Sequence, residues 1–215
     1  MTGSELEERK FTLSDSLKNR AANMKKLRLE EVCILLVDIS SSMHDATEEG
    51  MSKIDAVRQS IPNLYAATHR VAYGMIGFNE DAHEIQSLTS NFGLIIGQAE
   101  SISPRGSTNI SAAMRVGLVM INNKDTERKR MILLSDGSDN IEQDMVEECI
   151  IRCQEEKVVV DTIAFGRDAD ELRLREIAKR TGGVFYSAKS VRKLAEAYKK
   201  LNFDVRYLTC STINL

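Results

Sequence analysis

Two groups of oxygen-bearing side chains stand where apolar runs of this sequence stop. Asp38 follows the run from Val32 to Val37, and Ser40 and Ser42 come after it at alternate positions. Asp136 follows a second apolar run, Met131 to Leu134, with one serine between. Short apolar runs of this length are typical of buried strands. Carboxylates and hydroxyls are ligands that hard cations prefer, so the pattern favours a cation site at the ends of two strands.

The spacing of the first group sets a condition on the backbone. In a straight strand, Asp38 and Ser42 would lie roughly 13 Å apart. Oxygens that share one small cation lie at most about 4 Å apart, because Mg–O bonds are about 2.1 Å long. If these residues share a metal, the chain must therefore curl directly after Asp38. The serine-rich segment that follows, ending in Met43 and His44, is loop material compatible with such a curl.

A third segment carries the remaining hydroxyl. Thr108 lies in Gly-Ser-Thr-Asn, a turn that leads into a helical pattern. Taken together, the motifs Asp-x-Ser-x-Ser, Gly-Ser-Thr-Asn and Leu-Ser-Asp-Gly resemble the metal-ion-dependent adhesion site (MIDAS) of von Willebrand factor A (VWA) domains. The five matching positions are Asp38, Ser40, Ser42, Thr108 and Asp136.

The resemblance extends beyond the site. Residues 161–166, Asp-Thr-Ile-Ala-Phe-Gly, are similar to the fifth strand of that family, and residues 174–186 are similar to its next helix and last strand. The match covers roughly residues 30–202. We therefore expect three parts: an N-terminal extension over residues 1–30, a VWA domain over 31–202 and a C-terminal tail over 203–215.

What the resemblance implies about chemistry is specific. Ser40, Ser42 and Thr108 would be direct ligands of Mg²⁺, with Mn²⁺ an alternative, and Asp38 and Asp136 would bind partly through water or orient the hydroxyls. An Asp or Glu carboxylate of a protein partner would complete the coordination. The expected function is an intracellular, cytoplasmic protein–protein interaction module within a multiprotein complex, and an AAA+ ATPase is one expected member of that complex. In some relatives, metal occupancy is also coupled to movement of the last helix.

The order of apolar patterns predicts the fold. Strands alternate with helices, which indicates right-handed crossovers and a doubly wound α/β sheet of six strands. The sheet is expected to be mainly parallel, with one short antiparallel edge strand and helices on its flanks. The strands are predicted over 32–38, 71–78, 83–88, 131–134, 158–165 and 184–186. The helices are predicted over 15–29, 54–67, 92–101, 110–121, 145–154, 170–179 and 191–201, with Pro62 kinking or bounding the second.

An enzyme is the main alternative. Mg²⁺-dependent phosphohydrolases of the dehalogenase type use an Asp nucleophile at a strand end and an acidic residue two positions later. Ser40 occupies that later position here and is not an acid at neutral pH. The sequence contains neither a P-loop nor a G-x-S-x-G elbow, and His44 beside Asp45 is interpreted as a residue at the rim. We therefore expect a binding module with no catalytic residues.

Composition and charge argue against two other classes of function. The formal net charge is −3, and the short basic clusters at residues 25–28 and 128–130 are interpreted as solvated helix ends, so nucleic-acid binding is not expected. No apolar run approaches the roughly 20 residues that span a bilayer, and residues 1–10 lack a signal-peptide core. The four cysteines contain no C-x-x-C pair and are predicted to be reduced and mostly buried.

Overall fold

The computed structural model describes residues 29–65, 70–122, 124, 126–137 and 143–202. The helix predicted over residues 15–29 lies outside these ranges except for its last residue, and the tail over 203–215 lies outside them entirely.

The fold is built on one sheet of six strands. The strands are β1 Glu31–Asp38, β2 Val71–Phe78, β3 Ala82–Thr89, β4 Arg128–Ser135, β5 Val158–Phe165 and β6 Phe185–Ala188. Their order across the sheet is β3-β2-β1-β4-β5-β6. Every neighbouring pair is parallel except β2 and β3, which are antiparallel. The predicted doubly wound α/β fold, with a mainly parallel sheet and one antiparallel edge strand, is therefore confirmed.

Helices cover both faces of this sheet. They are α1 Lys53–Ser60, α2 Phe92–Ala99, α3 Ile110–Ile121, α4 Gln143–Glu155, α5 Glu171–Thr181 and α6 Val191–Asn202. Two short 3₁₀ turns, Ser41–His44 and Ile61–Leu64, are added to them. The second turn contains Pro62, which has no backbone N–H and ends regular helix here. The helix predicted over residues 54–67 is therefore shorter than expected, and Pro62 marks its boundary.

The alternation of β1 shows how the two layers of the core are built. Successive side chains of a strand point to opposite faces of a sheet. Cys33, Leu35 and Val37 accordingly pack into a core with α1, α2 and α6. The intervening residues of β1 pack into a second core with α3, α4 and α5. All eight residues of β1 are buried, as expected for a central strand covered on both faces.

One prediction about charge is wrong. The basic cluster at residues 128–130 does not cap a helix but begins β4, three residues before the predicted strand. Arg130 is only 5% exposed, and its Nε donates to Asp161 Oδ2 on β5 over 2.5 Å. Arg128 Nε donates to Glu31 Oε2 on β1 over 3.1 Å. These ion pairs with acids on the two neighbouring strands allow Arg128 and Arg130 to be part of the sheet.

The strand order also locates a binding edge. From β1 the chain crosses first toward β2, and it later returns to place β4 on the other side of β1. The order of strands therefore reverses between β1 and β4, and ligands of open α/β sheets bind outside the carboxyl ends of strands at such a point. Asp38 is the last residue of β1, and Asp136 directly follows β4.

Candidate metal centre

The chain curls immediately after β1, as the spacing requires. The backbone N–H of Ser40 donates to Asp38 Oδ1 over 2.8 Å. The N–H of Met43 then donates to the carbonyl oxygen of Ser40 over 3.0 Å, which closes the 3₁₀ turn Ser41–His44. The Met43 side chain is fully buried and anchors this turn to the core. The curl brings the serines back toward the end of β1 instead of extending the strand.

Four of the five candidate residues form one hydrogen-bonded cluster. The hydroxyl oxygens of Ser40 and Ser42 lie 3.0 Å apart. Ser42 Oγ donates to Asp136 Oδ1 over 2.8 Å, although 94 residues separate the two in the chain. Asp38, whose carboxylate binds the N–H of Ser40, completes the cluster. Two strand ends and one loop are thereby joined through side-chain oxygens.

Thr108 enters the same space from a separate loop. A Cβ atom placed on Gly137 would lie 3.4 Å from Thr108 Oγ1 and 3.9 Å from Ser42 Oγ. Thr108 is 4% exposed. The hydroxyls of Thr108 and Ser42 therefore both border the residue that follows Asp136. The structure brings all five candidate residues to one edge of the sheet.

Backbone contacts hold the Thr108 loop against the loop after β1. The N–H of Ser41 donates to the carbonyl oxygen of Gly106 over 2.9 Å, and the N–H of Arg105 donates to that of Ile39 over 2.7 Å. Gly106 has φ of +75°, and a Cβ there would lie 2.3 Å from Glu80 Oε2. The left-handed backbone favours glycine at this position, whereas the carboxylate of Glu80 is the end of an exposed side chain and can move aside.

Asp38 is a buried carboxylate without a cationic partner among the described residues. Burial raises the pKa of Asp38 to about 6, and the negative charge of Asp136 adds to this effect, while hydrogen bonds from Ser135 and Ser40 oppose it. The Ser135 bond is short, with Oγ donating to Asp38 Oδ2 over 2.6 Å. Ser135 was not among the residues singled out from the sequence, where it reads only as the end of a strand.

Asp136, in contrast, has a cation beside it. Lys53 Nζ donates to Asp136 Oδ2 over 2.6 Å, and it also lies 3.9 Å from Asp45 Oδ2. Lys53 is 7% exposed and Asp136 1%, so this is a buried ion pair. Lys53 opens α1, whose N-cap is Ser52. The sequence gives no signal for this pair, because a lysine at a helix start is ordinarily solvated.

His44 contacts the backbone of the loop that precedes Thr108. Its Nε2 lies 3.1 Å from the carbonyl oxygen of Pro104. The hydroxyl of Ser42, the nearest candidate nucleophile in sequence, is bonded to Asp136 and Ser40. The Asp45 side chain is 68% exposed. His44 and Ser42 therefore have different partners, as the interpretation of His44 as a rim residue implies.

The oxygen spacing allows a test of whether Mg²⁺ fits. Mg²⁺ prefers six oxygen ligands at about 2.1 Å, which places neighbouring ligands about 3.0 Å apart. The two spacings that Ser42 Oγ makes, with Ser40 Oγ and Asp136 Oδ1, are 3.0 and 2.8 Å. Among the described residues, no group of three or more His, Cys, Asp or Glu side chains is placed to hold a metal. A centre here would therefore need the hydroxyls as well as the two carboxylates.

A cleft opens beside this cluster. It has a volume of about 270 Å³ and lies between the loop at residues 45–48 and the loop that follows β5. Lys53 lines it, together with Phe165, Gly166 and Lys189. Lys53 therefore lines the cleft and also contacts Asp136 of the oxygen cluster.

Comparison with known proteins gives the class of this molecule. The family model of the von Willebrand factor type A domain matches residues 33–200. The UPF0353 protein of Nocardia farcinica is 25% identical over 213 residues, covering 82% of this chain and 63% of that protein. The calcium-activated chloride channel regulator 1 of Bos taurus is 30% identical over 113 residues, covering 51% of this chain and 12% of that protein.

A solved structure extends the comparison. The von Willebrand factor type A protein from Catenulispora acidiphila superposes with a TM-score of 0.70 at 18% identity, covering 81% of this chain and 42% of the other. At that identity the likeness supports the fold alone.

The chain belongs to the von Willebrand factor type A domain family. Domains of this family are in general modules of protein–protein interaction rather than enzymes. The chain spans less than two thirds of the length of both curated relatives given above. In the part of the chain that the structure describes, no helix has the length and the apolar character needed to cross a bilayer.

Proposed function

We propose that this domain recognises a protein partner through a divalent cation, Mg²⁺ or Mn²⁺, held by Asp38, Ser40, Ser42, Thr108 and Asp136. When bound, the cation supplies a coordination position that a partner's Asp or Glu carboxylate can fill. The observation that carries this proposal is the bonding of Ser42 Oγ to both Ser40 Oγ and Asp136 Oδ1 at 3.0 and 2.8 Å. These distances are those of ordinary hydrogen bonds between oxygens, and they equal the edges of a Mg²⁺ coordination shell, so the cluster can receive the ion with little rearrangement.

The carboxylates have an orienting role in this scheme. The hydroxyl proton of Ser42 is directed to Asp136, so the hydroxyl of Ser40 donates to Ser42 Oγ, and the second lone pair of that oxygen remains available for a ligand. Asp38 is itself fixed by the N–H of Ser40 and the hydroxyl of Ser135. Because both carboxylates are buried, each is held in one orientation. Hydroxyl ligands are neutral, so the charge of the cation is balanced by the carboxylates around it and by that of the partner.

A phosphohydrolase is not supported by a specific observation. Ser40, at the position of the general acid, contacts Ser42 and Asp38, and a hydroxyl does not donate a proton readily at neutral pH. The general absence of catalysis in the family agrees with a binding role. A cytoplasmic setting within a multiprotein complex, beside an AAA+ ATPase for example, is part of the proposal and comes from the resemblance to intracellular VWA domains.

Calorimetric titration with Mg²⁺ and Mn²⁺ tests the metal site. We expect wild-type protein to bind one equivalent, and Asp38→Ala and Thr108→Ala to lower the affinity by at least about tenfold, as lost ligands and their supporting partners do. Ser107→Ala is the matched control, because Ser107 bonds Glu80 through its backbone N–H and neighbours Thr108. Circular dichroism establishes that each variant is folded.

Acetate stands in for the partner's carboxylate in the second arm of the experiment. Heat from acetate binding is expected only when Mg²⁺ is present and should disappear in EDTA. If folded wild-type protein bound neither cation, with or without excess acetate, the proposal would be refuted.

A further inference from the structure

The buried Lys53 ammonium lies where a cation is expected. Its Nζ is 2.6 Å from Asp136 Oδ2, and the same carboxylate accepts the Ser42 hydroxyl through its other oxygen. Counted over side-chain atoms alone, Lys53 is 9% exposed and Asp136 is fully buried. Removing this cation from a buried carboxylate would be costly. Asp136 therefore already has a positive partner before any metal is considered.

The position of Lys53 is built into the fold. It is the first residue of α1, which Ser52 caps by accepting the N–H of Asp55 over 3.2 Å. The backbone N–H of Lys53 donates to the carbonyl oxygen of Asp45 over 2.9 Å. The Lys53 side chain also packs against Gly166, where an added Cβ atom would lie 3.3 Å from Lys53 Cε. These contacts direct the ammonium toward Asp136.

We propose that Lys53 is an internal counter-ion of the metal site, which weakens binding of the metal alone and strengthens binding of the partner's carboxylate. This inference deepens the proposed function and rests on it. Among the buried groups of the site, Asp38 and Asp136 contribute two negative charges, and Lys53 contributes one positive charge. Asp45 also lies 3.9 Å from Lys53 Nζ, but its side chain is 68% exposed, so water screens its charge. A site with a divalent cation is neutral without Lys53 and carries one positive charge with it. The single negative charge of one partner carboxylate then restores neutrality.

The charge balance predicts effects of opposite sign for one substitution. Lys53→Met retains an unbranched side chain of similar length but removes the charge. Mg²⁺ binding should tighten by about tenfold or more, because repulsion between ammonium and metal is removed at short range in a partly buried site. Acetate binding to the loaded site should weaken by a similar factor. A residue that only supported the local structure would weaken both.

Two further variants separate charge from structure. Lys53→Arg keeps the charge but is bulkier, so it should bind Mg²⁺ more weakly and acetate more tightly than Lys53→Met does. Lys189→Met removes a lysine that lines the same cleft but pairs with Glu171 at 4.0 Å, so it is expected to leave both affinities unchanged. Each protein is titrated with Mg²⁺ alone and then with acetate at saturating Mg²⁺.

Metal-free protein provides a second readout. In EDTA, Lys53→Met leaves Asp136 buried without its cation, so the thermal midpoint should fall. The same concentration of Mg²⁺ should raise the midpoint of Lys53→Met by more than it raises that of wild type, because stabilisation by a ligand grows with the logarithm of its concentration divided by Kd.

The results distinguish failure of the counter-ion role of Lys53 from failure of the proposed metal site. Unchanged Mg²⁺ affinity in Lys53→Met, or equal weakening of Mg²⁺ and acetate binding, would overturn the role of Lys53 while leaving the metal site in place. If wild type bound no Mg²⁺ but Lys53→Met did, the ammonium would be shown to keep metal out, which supports the counter-ion role and refutes metal binding by the native chain. If neither protein bound Mg²⁺, both proposals would fail.

Discussion

Asp38 shows how a single side chain can be fixed at the end of a strand. Its two oxygens have different partners: the N–H of Ser40 binds one, and the hydroxyl of Ser135 binds the other. Both donors are neutral, so they orient the carboxylate without compensating its charge. Burial accordingly outweighs the hydrogen bonds and leaves the pKa raised to about 6. A carboxylate in this state is stabilised by any cation that approaches it.

Ser135→Ala tests the importance of that orientation. Removing the donor leaves Asp38 Oδ2 without its 2.6 Å bond, and we expect the free energy of unfolding to fall by about 1–3 kcal/mol, with weaker Mg²⁺ binding as a second effect. The measurement is urea unfolding in EDTA together with calorimetry.

Ser187→Ala is the matched control for that experiment. The Ser187 hydroxyl also donates to a carboxylate, that of Glu171, over 2.6 Å, but the pair is exposed. The cost there should stay within about 0.5 kcal/mol. Equal costs for the two variants would show that the hydrogen bond from Ser135 to the buried Asp38 stabilises the fold no more than an exposed one does.

The sequence predicted the candidate metal ligands but not the residues that hold those ligands in place. The candidate ligands could be found because Asp38 and Asp136 each follow an apolar run, and because the oxygen-rich motifs have a recognisable order. Ser135 and Lys53 carry no such signal. Lys53 meets Asp136 across 83 residues of chain, and only the packing of α1 beside the end of β4 makes them neighbours.

Among the strands, β4 departs most from its predicted length. Its apolar residues were recognised, but three basic residues before them were interpreted as solvated. They belong to the strand because Glu31 on β1 and Asp161 on β5 supply matching charges on both sides. Such pairing depends on which strands are neighbours. A pattern of charges along one segment cannot reveal it, whereas the period of apolar residues gave β5 its exact bounds.

Arg130 links β4 to the last helix as well as to β5. Its Nη1 donates to the carbonyl oxygen of Leu201, near the end of α6, over 2.9 Å. Within the described part of the chain, its Nη2 is buried and has no hydrogen-bond partner, beside a cavity of about 30 Å³ that Cys33 and Asn202 help to line. Arg130 thus ties three elements together at the edge of the sheet opposite the candidate metal centre.

Arg130→Met is therefore expected to be strongly destabilising. It leaves the fully buried Asp161 without the guanidinium beside it, which typically costs about 3–5 kcal/mol. Arg128→Met is the control, because the side chain of Arg128 is 28% exposed and its ion pair should contribute at most about 1 kcal/mol. Urea unfolding measures both. A cost for Arg130→Met no larger than for Arg128→Met would contradict the structural role assigned to this pair.

At the scale of the whole molecule, one sheet is shared by two apolar layers. The layer with α1, α2 and α6 and the layer with α3, α4 and α5 touch opposite faces of the same strands. Cys33 lies in the first layer, and Cys149 and Cys153 lie in the second. All three are free and buried, as predicted. They are therefore natural reporters of whether the two layers open together.

Burial suppresses the reactivity of all three thiols. It raises the pKa of Cys149 to about 11 and that of Cys153 to about 12, and it raises the pKa of Cys33 further still. The folded protein therefore retains protons that the unfolded chain releases near pH 9. This contribution to stability is complete below about pH 9 and is lost as pH rises toward 11–12, by up to about 1.4 kcal/mol per pH unit for each thiol.

Alkylation with iodoacetamide at pH 8, read by mass spectrometry of individual peptides, tests the whole-molecule argument. We expect negligible reaction at Cys33, Cys149 and Cys153 in the folded state. As urea is added, all three should begin to react over one transition, with rates that agree within a few fold after normalisation to the fully unfolded chain. Removing either layer would expose the sheet on which the other packs, so neither should open alone. Reaction at Cys149 and Cys153 well before Cys33 would show instead that the α3–α5 layer opens as a separate unit.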